Sequence, residues 1–280
     1  MIKYQRPPSP PSFTREARVL RRTADESVRR GRKPAVDDDL WGRYAPILAD
    51  AQRGKCAYCE RTLSTHYPPI EHVAPRNEVH GLPDDEGDWG VEAHAHLANI
   101  APGHRRKSIR ISDWGYWARA YVWSNFVLAC QACNTWKSTI YPLAKRPAGG
   151  WRPGRSTTRR GDELLLDCFD EPAPWRDHFT FDAITGAIGW KTVRGRATVG
   201  TCGLHRQSLQ IERRELLEHV CELCRRTTQP SGGVHDAAWK DLARLGRDPM
   251  CFAGAVRAVA EARLGLTWDE VVAYAATLPR

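Results

Sequence analysis

The sequence predicts an α+β protein in which short strands and helices surround a four-cysteine metal site, followed by a mainly helical part. Two Cys-x-x-Cys pairs, beginning at Cys56 and Cys130, have the spacing of zinc half-sites. Residues 163–192 contain short strand-like runs around a turn at Thr185 and Gly186, and apolar residues recur at helical spacing over 204–280. These features combine a metal-stabilised mixed region with a helical one.

Composition limits the function classes. Hydrophobic residues make up 41% and charged residues 27% of the 280 residues, as in a globular protein. There is no run of 18 apolar residues and no secretion signal, so we expect a cytoplasmic protein without a membrane span. An odd count of nine cysteines argues against a disulfide framework. The net charge of +9 favours a nucleic-acid partner, although a solvated basic surface explains the same excess.

The first part of the chain predicts two helices after a Pro-rich start. Residues 14–30 form a basic helical pattern that ends at Gly31 and Pro34. Residues 37–55 begin with acidic side chains, which suit a helix N-terminus, and carry apolar residues at helical spacing up to Gly54.

The two cysteine pairs are separated by 70 residues (60–129), more than a minimal zinc ribbon needs. The stretch 77–112 lacks periodicity and is interpreted as a long loop or insertion. We therefore expect three regions: a basic helical segment over 1–55, a core with the metal site over 56–145, and a linker plus a mainly helical part over 146–280.

The four paired cysteines together complete a tetrahedral thiolate site. They are Cys56, Cys59, Cys130 and Cys133. A zinc ion with four thiolates has no open position for water, so this zinc is expected to be structural.

A second motif lies between the cysteine pairs. Glu71 and His72 are followed by a proline in "PPIEHVAPRN", and Asn125, Asn134 and Lys137 surround the second pair in "SNFVLACQACNTWKS". In this order, Cys-x-x-Cys, Glu-His-x-x-Pro, Asn, Cys-x-x-Cys-Asn and Lys resemble the HNH endonucleases of the ββα-metal superfamily. The resemblance extends to their retron- and Septu-associated branch, firmly over 56–142 and loosely over 40–225.

The resemblance implies a zinc-stabilised ββα-metal nuclease core with surrounding helices. His72 would be the general base, because imidazole has an ordinary pKa of about 6.5 and accepts a proton near neutral pH. Glu71 and Asn134 would hold a catalytic divalent metal, Mg²⁺ or Mn²⁺, which prefers oxygen ligands. Asn125 would brace the hairpin that carries His72. Lys137, on a helix beginning near Asn134, would contact a phosphate.

The resemblance also implies an anti-phage defence effector that acts beside an ATPase partner, in some cases with a retron. We expect DNA rather than RNA as substrate, bound partly by the basic segments 103–110 and 152–160. Two alternatives stay open: a catalytically silent zinc module that binds nucleic acid, and a nuclease specific for structured RNA such as tRNA.

Other titratable residues are given structural interpretations. Cys221 and Cys224 lie in a periodic helix and are expected to pack, and Asp167 and Asp170 are expected to end a strand. Several histidines near the motif are interpreted as exposed loop residues: His66, His80, His94, His96 and His104.

Overall fold

The computed structural model describes residues 3–34, 36, 39–63, 69–82, 109–144, 163–170, 173–230 and 232–279. Over these ranges the chain forms nine α-helices and three two-stranded antiparallel sheets, which confirms the mixed α+β class. None of the helices in this part of the chain is long and apolar enough to cross a membrane.

The elements have the following bounds. The helices are α1 (Pro11–Arg29), α2 (Asp39–Gly42), α3 (Ala45–Ala51), α4 (Gln131–Lys137), α5 (Val193–Cys202), α6 (Gln207–Arg226), α7 (Gly233–Leu245), α8 (Ala253–Leu264) and α9 (Trp268–Thr277). The strands are β1 (Ile70–His72), β2 (Val79–Gly81), β3 (Ile109–Ser112), β4 (Phe126–Leu128), β5 (Phe179–Phe181) and β6 (Ile188–Trp190). Single 3-10 turns occur at Trp117–Arg119, Trp123–Asn125 and Trp175–Asp177.

Helix α1 begins three residues earlier than the predicted start at Thr14. A proline occupies its first position, where the missing N–H is not needed. Gly31 follows with a φ of +71°, which confirms the predicted stop. Phe13, Ala17 and Ala24 are buried at helical spacing, whereas most of the remaining surface of α1 is polar.

The single helix predicted over residues 37–55 is wrong, because the structure contains two short helices, α2 and α3. Pro46 lies in the first turn of α3. Proline has no N–H to donate and its ring clashes with the preceding turn, so a helix cannot run through it. The chain therefore turns at Arg43 and Tyr44, and a new helix, α3, begins at Ala45.

The interpretation of 77–112 as one loop also needs correction. Its two ends form the antiparallel strands β2 and β3, in which Gly81 pairs with Ile109. Residues 83–108 lie outside the described ranges. Strands of three and four residues are too short to show a recognisable alternation of polar and apolar residues, so periodicity could not predict them.

Strands β1 and β4 form the sheet that carries the candidate site. Glu71 lies opposite Val127 and His72 opposite Phe126, and α4 follows β4 after two residues. The resemblance implied a hairpin, but 53 residues (73–125) separate the two strands. All three residues of β4 are buried, so this strand lies inside the core.

The C-terminal part is helical as predicted, with α6, α7, α8 and α9 packed on one another. The turn between β5 and β6 confirms the expected strand pair, and Gly186 there has a φ of +71°. Helix α5 was not predicted. The proposed boundaries of the three regions remain a prediction.

The helical part docks on the first cysteine pair. Lys55 is fully buried and donates to the carbonyl of Met250 at 3.0 Å. Glu60 accepts a hydrogen bond from the backbone N–H of Gly254 at 3.1 Å, at the start of α8. The residues on both sides of the first pair are therefore anchored in the last part of the chain.

Candidate active site and metal centre

The four paired cysteines converge as the sequence predicts. Their sulfur atoms all lie within 4.8 Å of one another, and Cys59 Sγ is 3.7 Å from Cys130 Sγ. Zn–S bonds of about 2.3 Å in a tetrahedron would place the sulfurs about 3.8 Å apart. The donor set and its spacing thus fit a structural zinc ion.

Two turns of backbone position the sulfurs. In the first pair, Glu60 donates its N–H to the carbonyl of Cys56 at 3.1 Å, and its φ of +62° closes the turn. In the second pair, Cys130 caps α4, and its sulfur accepts the N–H of Cys133 at 3.5 Å. Each turn presents both of its sulfurs on one side.

Gln52 holds the two turns together. Its amide nitrogen donates to the carbonyls of Lys55 (2.9 Å) and Leu128 (3.0 Å), and its amide oxygen accepts the N–H of Leu128 at 2.8 Å. The side chain is fully buried. It therefore ties the residue before the first cysteine pair to the strand before the second.

Arg206 supplies positive charge to the sulfur cluster. Its guanidinium nitrogens lie 3.3 and 3.4 Å from Cys133 Sγ, and one lies 3.8 Å from Cys130 Sγ. It also donates to the carbonyls of Cys202 and Gly203. Because zinc with four thiolates carries a net negative charge, a buried guanidinium stabilises it. Sequence reasoning missed Arg206, since no local motif links it to cysteines more than 70 residues away.

Without a bound metal ion, the thiols of the cluster differ in pKa. Burial raises the pKa of Cys133 well above the ordinary value. Hydrogen bonds from neighbouring thiols, of which the one from Cys133 has the largest effect, hold the pKa of Cys130 far below the ordinary value of a thiol. A metal ion that binds here must therefore displace protons from the cluster.

Glu71 and Lys137 form a buried ion pair. Lys137 Nζ lies 2.5 Å from Glu71 Oε1 and also donates to the carbonyl of His72 at 2.8 Å. Burial raises the pKa of Glu71, and the charge of Lys137 opposes this effect. The predicted phosphate contact by Lys137 does not match this position, because the side chain has 0% exposure and points at β1.

His72 points away from Glu71, as alternation along a strand predicts. Its ring packs edge-on against Trp41 and Phe126, with centroids 4.6 and 4.9 Å away. Its Nε2 lies 3.0 Å from the carbonyl oxygen of Ala120. A carbonyl can only accept, so Nε2 carries the proton in this bond. Trp41 is a second site residue that sequence reasoning missed, because its place in the apolar pattern of 37–55 indicates only a buried helix face.

Asn125 connects the two backbone segments next to His72. Its amide oxygen accepts the N–H of Ala74 at 2.8 Å, and its nitrogen donates to the carbonyls of Ala74 and Arg119 at 3.0 and 3.1 Å. Ala74 lies two residues after His72, and Arg119 directly precedes Ala120. The carboxamide thus fixes both the strand exit and the segment that holds the imidazole.

Asn134 lies one turn before Lys137 on α4, so both side chains occur on neighbouring positions of one helix face. Its side-chain amide makes no hydrogen bond with the described residues. Helix α4 starts at Gln131 rather than near Asn134, because Cys130 is the capping residue.

The remaining candidates have other surroundings. His80 lies in β2, and Cys224 is buried on α6, outside the sulfur cluster found in the described part of the chain. Asp167 and Asp170 pair with Arg6 rather than ending a strand. The other four histidines and most of the two basic segments lie outside the described ranges: His66, His94, His96, His104, 103–108 and 152–160.

Comparison with known proteins gives one informative similarity. No protein-family model matches the chain. Over 180 residues the chain is 29% identical to the Septu protein PtuB of Bacillus mycoides (strain KBAB4). The match covers 62% of this chain and 50% of PtuB, so the chain spans about half the length of that curated relative. The chain is therefore a distant relative of a Septu protein, and its four-cysteine cluster fits a zinc module.

Proposed function

We propose that this protein is a metal-dependent endonuclease that hydrolyses phosphodiester bonds in DNA. The observation that supports this function most directly is the hydrogen bond between His72 Nε2 and the Ala120 carbonyl. With the proton on Nε2, the neutral imidazole has its basic lone pair on Nδ1. His72 Nδ1 then accepts a proton from water, whose oxygen bonds to phosphorus while the bond to the leaving sugar oxygen breaks.

Asn125 acts as a positioning residue in this proposal. It bonds the backbone on both sides of the imidazole, through Ala74 and Arg119. The ring is also confined by Trp41 and Phe126. An imidazole held in this way keeps Nδ1 in one direction, which lowers the entropy cost of proton transfer.

Glu71 and Asn134 would hold the catalytic metal. Glu71 Oε1 is occupied by Lys137, but Oε2 makes no hydrogen bond within the described residues, and the Asn134 amide is likewise unbonded there. One carboxylate oxygen and one amide oxygen fit a hard divalent cation. A Mg²⁺ or Mn²⁺ ion bound there supplies positive charge to the phosphate and the leaving oxygen. Lys137 orients Glu71 and partly neutralises it.

We further propose that the activity serves anti-phage defence. The similarity to a Septu protein supports this context. An ATPase partner and, in some hosts, a retron follow from the sequence resemblance and remain predictions. The zinc ion would be structural. It would hold α4, which carries Asn134 and Lys137, and β4, which directly follows Asn125, against the first cysteine pair.

Nicking of supercoiled plasmid DNA with Mg²⁺ or Mn²⁺ tests the function. We expect His72→Ala to reduce the rate at least about 100-fold, the usual contribution of a general base. His80→Ala is the matched control, because it removes an imidazole from β2, which belongs to a different sheet, and it should cut within about threefold of wild type. Equal rates for wild type and His72→Ala would exclude His72 as the base. A folded tRNA as a parallel substrate tests the RNA alternative.

One observation favours the silent zinc module instead. Glu71 already forms an ion pair with Lys137, which competes with a metal ion for the carboxylate. Glu71 and His72 are also each only 7% exposed, which restricts access for a substrate. If wild type and His72→Ala bind DNA equally and neither cuts with any divalent metal, with or without the ATPase partner, the silent module is the correct function.

A further inference from the structure

A basic groove lies beside helix α1, outside the site described above. It has a volume of about 570 Å³ and runs between α1 and the segment 121–123. Three arginines of α1 line it: Arg18, Arg21 and Arg22. Arg21 and Arg22 follow Arg18 by three and four residues, so both lie next to Arg18 on one side of the helix.

Within the described part of the chain, no residue uses the charge of these arginines. All three side chains are exposed, and none forms an ion pair or hydrogen bond with another described residue. Asp25 also lines the groove, which leaves an excess of two positive charges (three minus one). Glu16, the acidic residue nearest to Arg18 on α1, is already paired with Arg43. The groove therefore offers guanidinium groups to an external anion.

The groove and the candidate base share one backbone segment. Tyr121, in the groove wall, directly follows Ala120, whose carbonyl accepts from His72. The ring of Trp41 lies between the imidazole and the groove wall, with its centroid 4.6 Å from that of His72 and 6.1 Å from that of Tyr121. A polyanion in the groove would consequently lie next to the imidazole site.

The lining indicates what kind of polyanion fits. Guanidinium groups bind phosphates in bidentate fashion. Proteins that hold unpaired strands usually add exposed aromatic rings on which the bases stack. Here the aromatic lining residues are buried, with Phe13, Tyr121 and Trp123 at 2%, 3% and 7% exposure. Charge without a stacking surface suits the outer backbone of a duplex.

We propose that this groove binds the phosphate backbone of duplex DNA through Arg18, Arg21 and Arg22. This inference takes its substrate from the proposed function, but binding in the groove does not depend on cleavage. Contacts from three side chains would contribute about 2 to 3 units to the slope of log affinity against log salt concentration.

Binding of a fluorescent duplex oligonucleotide to the full chain, without added divalent ions, tests the groove. We expect Arg18→Gln/Arg21→Gln/Arg22→Gln to weaken binding at least tenfold and to flatten the salt slope by about 2 units. The matched control is Arg29→Gln/Arg30→Gln/Arg32→Gln, which removes the same charge from exposed positions outside the groove. It should change affinity less than threefold. Unfolding curves and zinc content establish that both variants are folded.

Several results would overturn the proposal. These are equal losses in the two triple variants, no loss in the groove variant, or no binding of duplex DNA by wild type. Tighter binding of single-stranded RNA, or of an acidic polypeptide such as polyglutamate, would assign the groove to another partner. If the groove variant loses binding as expected while His72→Ala still cuts plasmid, the groove stands and the proposed catalytic mechanism fails.

Discussion

Lys137 Nζ lies 2.5 Å from Glu71 Oε1, although neither side chain has more than 10% of its surface exposed. Removing one partner of a buried ion pair leaves an uncompensated charge, at a typical cost of about 3–5 kcal/mol. We expect Lys137→Met to lower the free energy of unfolding by about 3 kcal/mol, and the double variant with Glu71→Gln to recover part of this loss. Urea unfolding of the four proteins measures the coupling. Strictly additive losses would show that the pair is not coupled.

Asn125 should be needed for stability as well as for activity. Asn125→Ala removes three side-chain hydrogen bonds and leaves buried backbone groups of Ala74 unpaired. Because an unsatisfied buried group costs about 1–3 kcal/mol, we expect a total loss of about 2–4 kcal/mol. DNA nicking should fall by at least tenfold at temperatures where the variant is folded. Unchanged thermal unfolding would argue against the bracing role.

Asn134, in contrast to Asn125, should matter for metal binding but not for stability. Its amide makes no hydrogen bond with the described residues, so Asn134→Ala should change the free energy of unfolding by less than about 0.5 kcal/mol. If the amide holds the catalytic metal, the same change should weaken Mn²⁺ binding by about tenfold or more and leave the zinc content intact. Titration followed by the paramagnetic signal of free Mn²⁺ measures this. Wild-type affinity in the variant would remove Asn134 from the metal site.

The sulfur cluster should contain about one zinc ion per chain. Cys133→Ser is expected to lose that zinc and most of the cooperative unfolding transition, because structural zinc contributes directly to folding. Arg206→Gln should keep the zinc but release it faster to a chelator, since it removes the buried positive charge beside Cys133. Elemental analysis and a chromogenic chelator provide the two measurements. Zinc retained in Cys133→Ser at the wild-type ratio would refute the assigned ligand set.

Stability should fall with rising pH because of Asp167. Burial, opposed by Arg6, raises its pKa from 3.8 to about 6. Between these values the folded state keeps a proton that the unfolded state has lost, so raising the pH costs up to about 3 kcal/mol in total. About 1 kcal/mol of this falls between pH 5 and pH 7. Asp167→Asn lacks this proton, so its stability relative to wild type should rise over that interval.

Parallel urea titrations of wild type and Asp167→Asn at pH 5 and pH 7 check this sign. Asp167→Asn also changes the contact with Arg6, and the part of that change that does not depend on pH cancels when the two pH values are compared. Identical pH dependence in the two proteins would show that Asp167 ionises with its ordinary pKa in the folded state.

The sequence predicted the parts of the site whose geometry is local. Two-residue spacing places a pair of cysteines on one turn, so the sulfur cluster could be foreseen before any fold was known. The opposite directions of Glu71 and His72 followed from strand alternation in the same way. The break at Pro46 is also a local feature, because proline cannot continue a helix, although the apolar periodicity of 37–55 indicates a single helix.

The missed features depend on contacts between distant parts of the chain. Arg206 reaches Cys133 across 73 positions, and nothing in its own surroundings marks it as a partner of sulfur. Lys137 is predicted to contact a phosphate, but it is buried against Glu71 on β1. Lysine is rarely buried, and only the carboxylate on a strand 66 positions away makes this placement favourable. Short strands such as β2 and β3 carry no periodicity of their own.

The anchoring of Lys55 and Glu60 at Met250 and Gly254 has a consequence for how the chain can be divided. A shortened protein that ended after α5 would lose the backbone groups of Met250 and Gly254 that bind Lys55 and Glu60, and both side chains would become exposed to water. The cysteines between them would then lose the frame that aligns them. We therefore expect proteolytic removal of the last helices to weaken zinc binding before it unfolds the rest of the chain. For the same reason, we expect that the two halves of the molecule cannot be exchanged as independent modules.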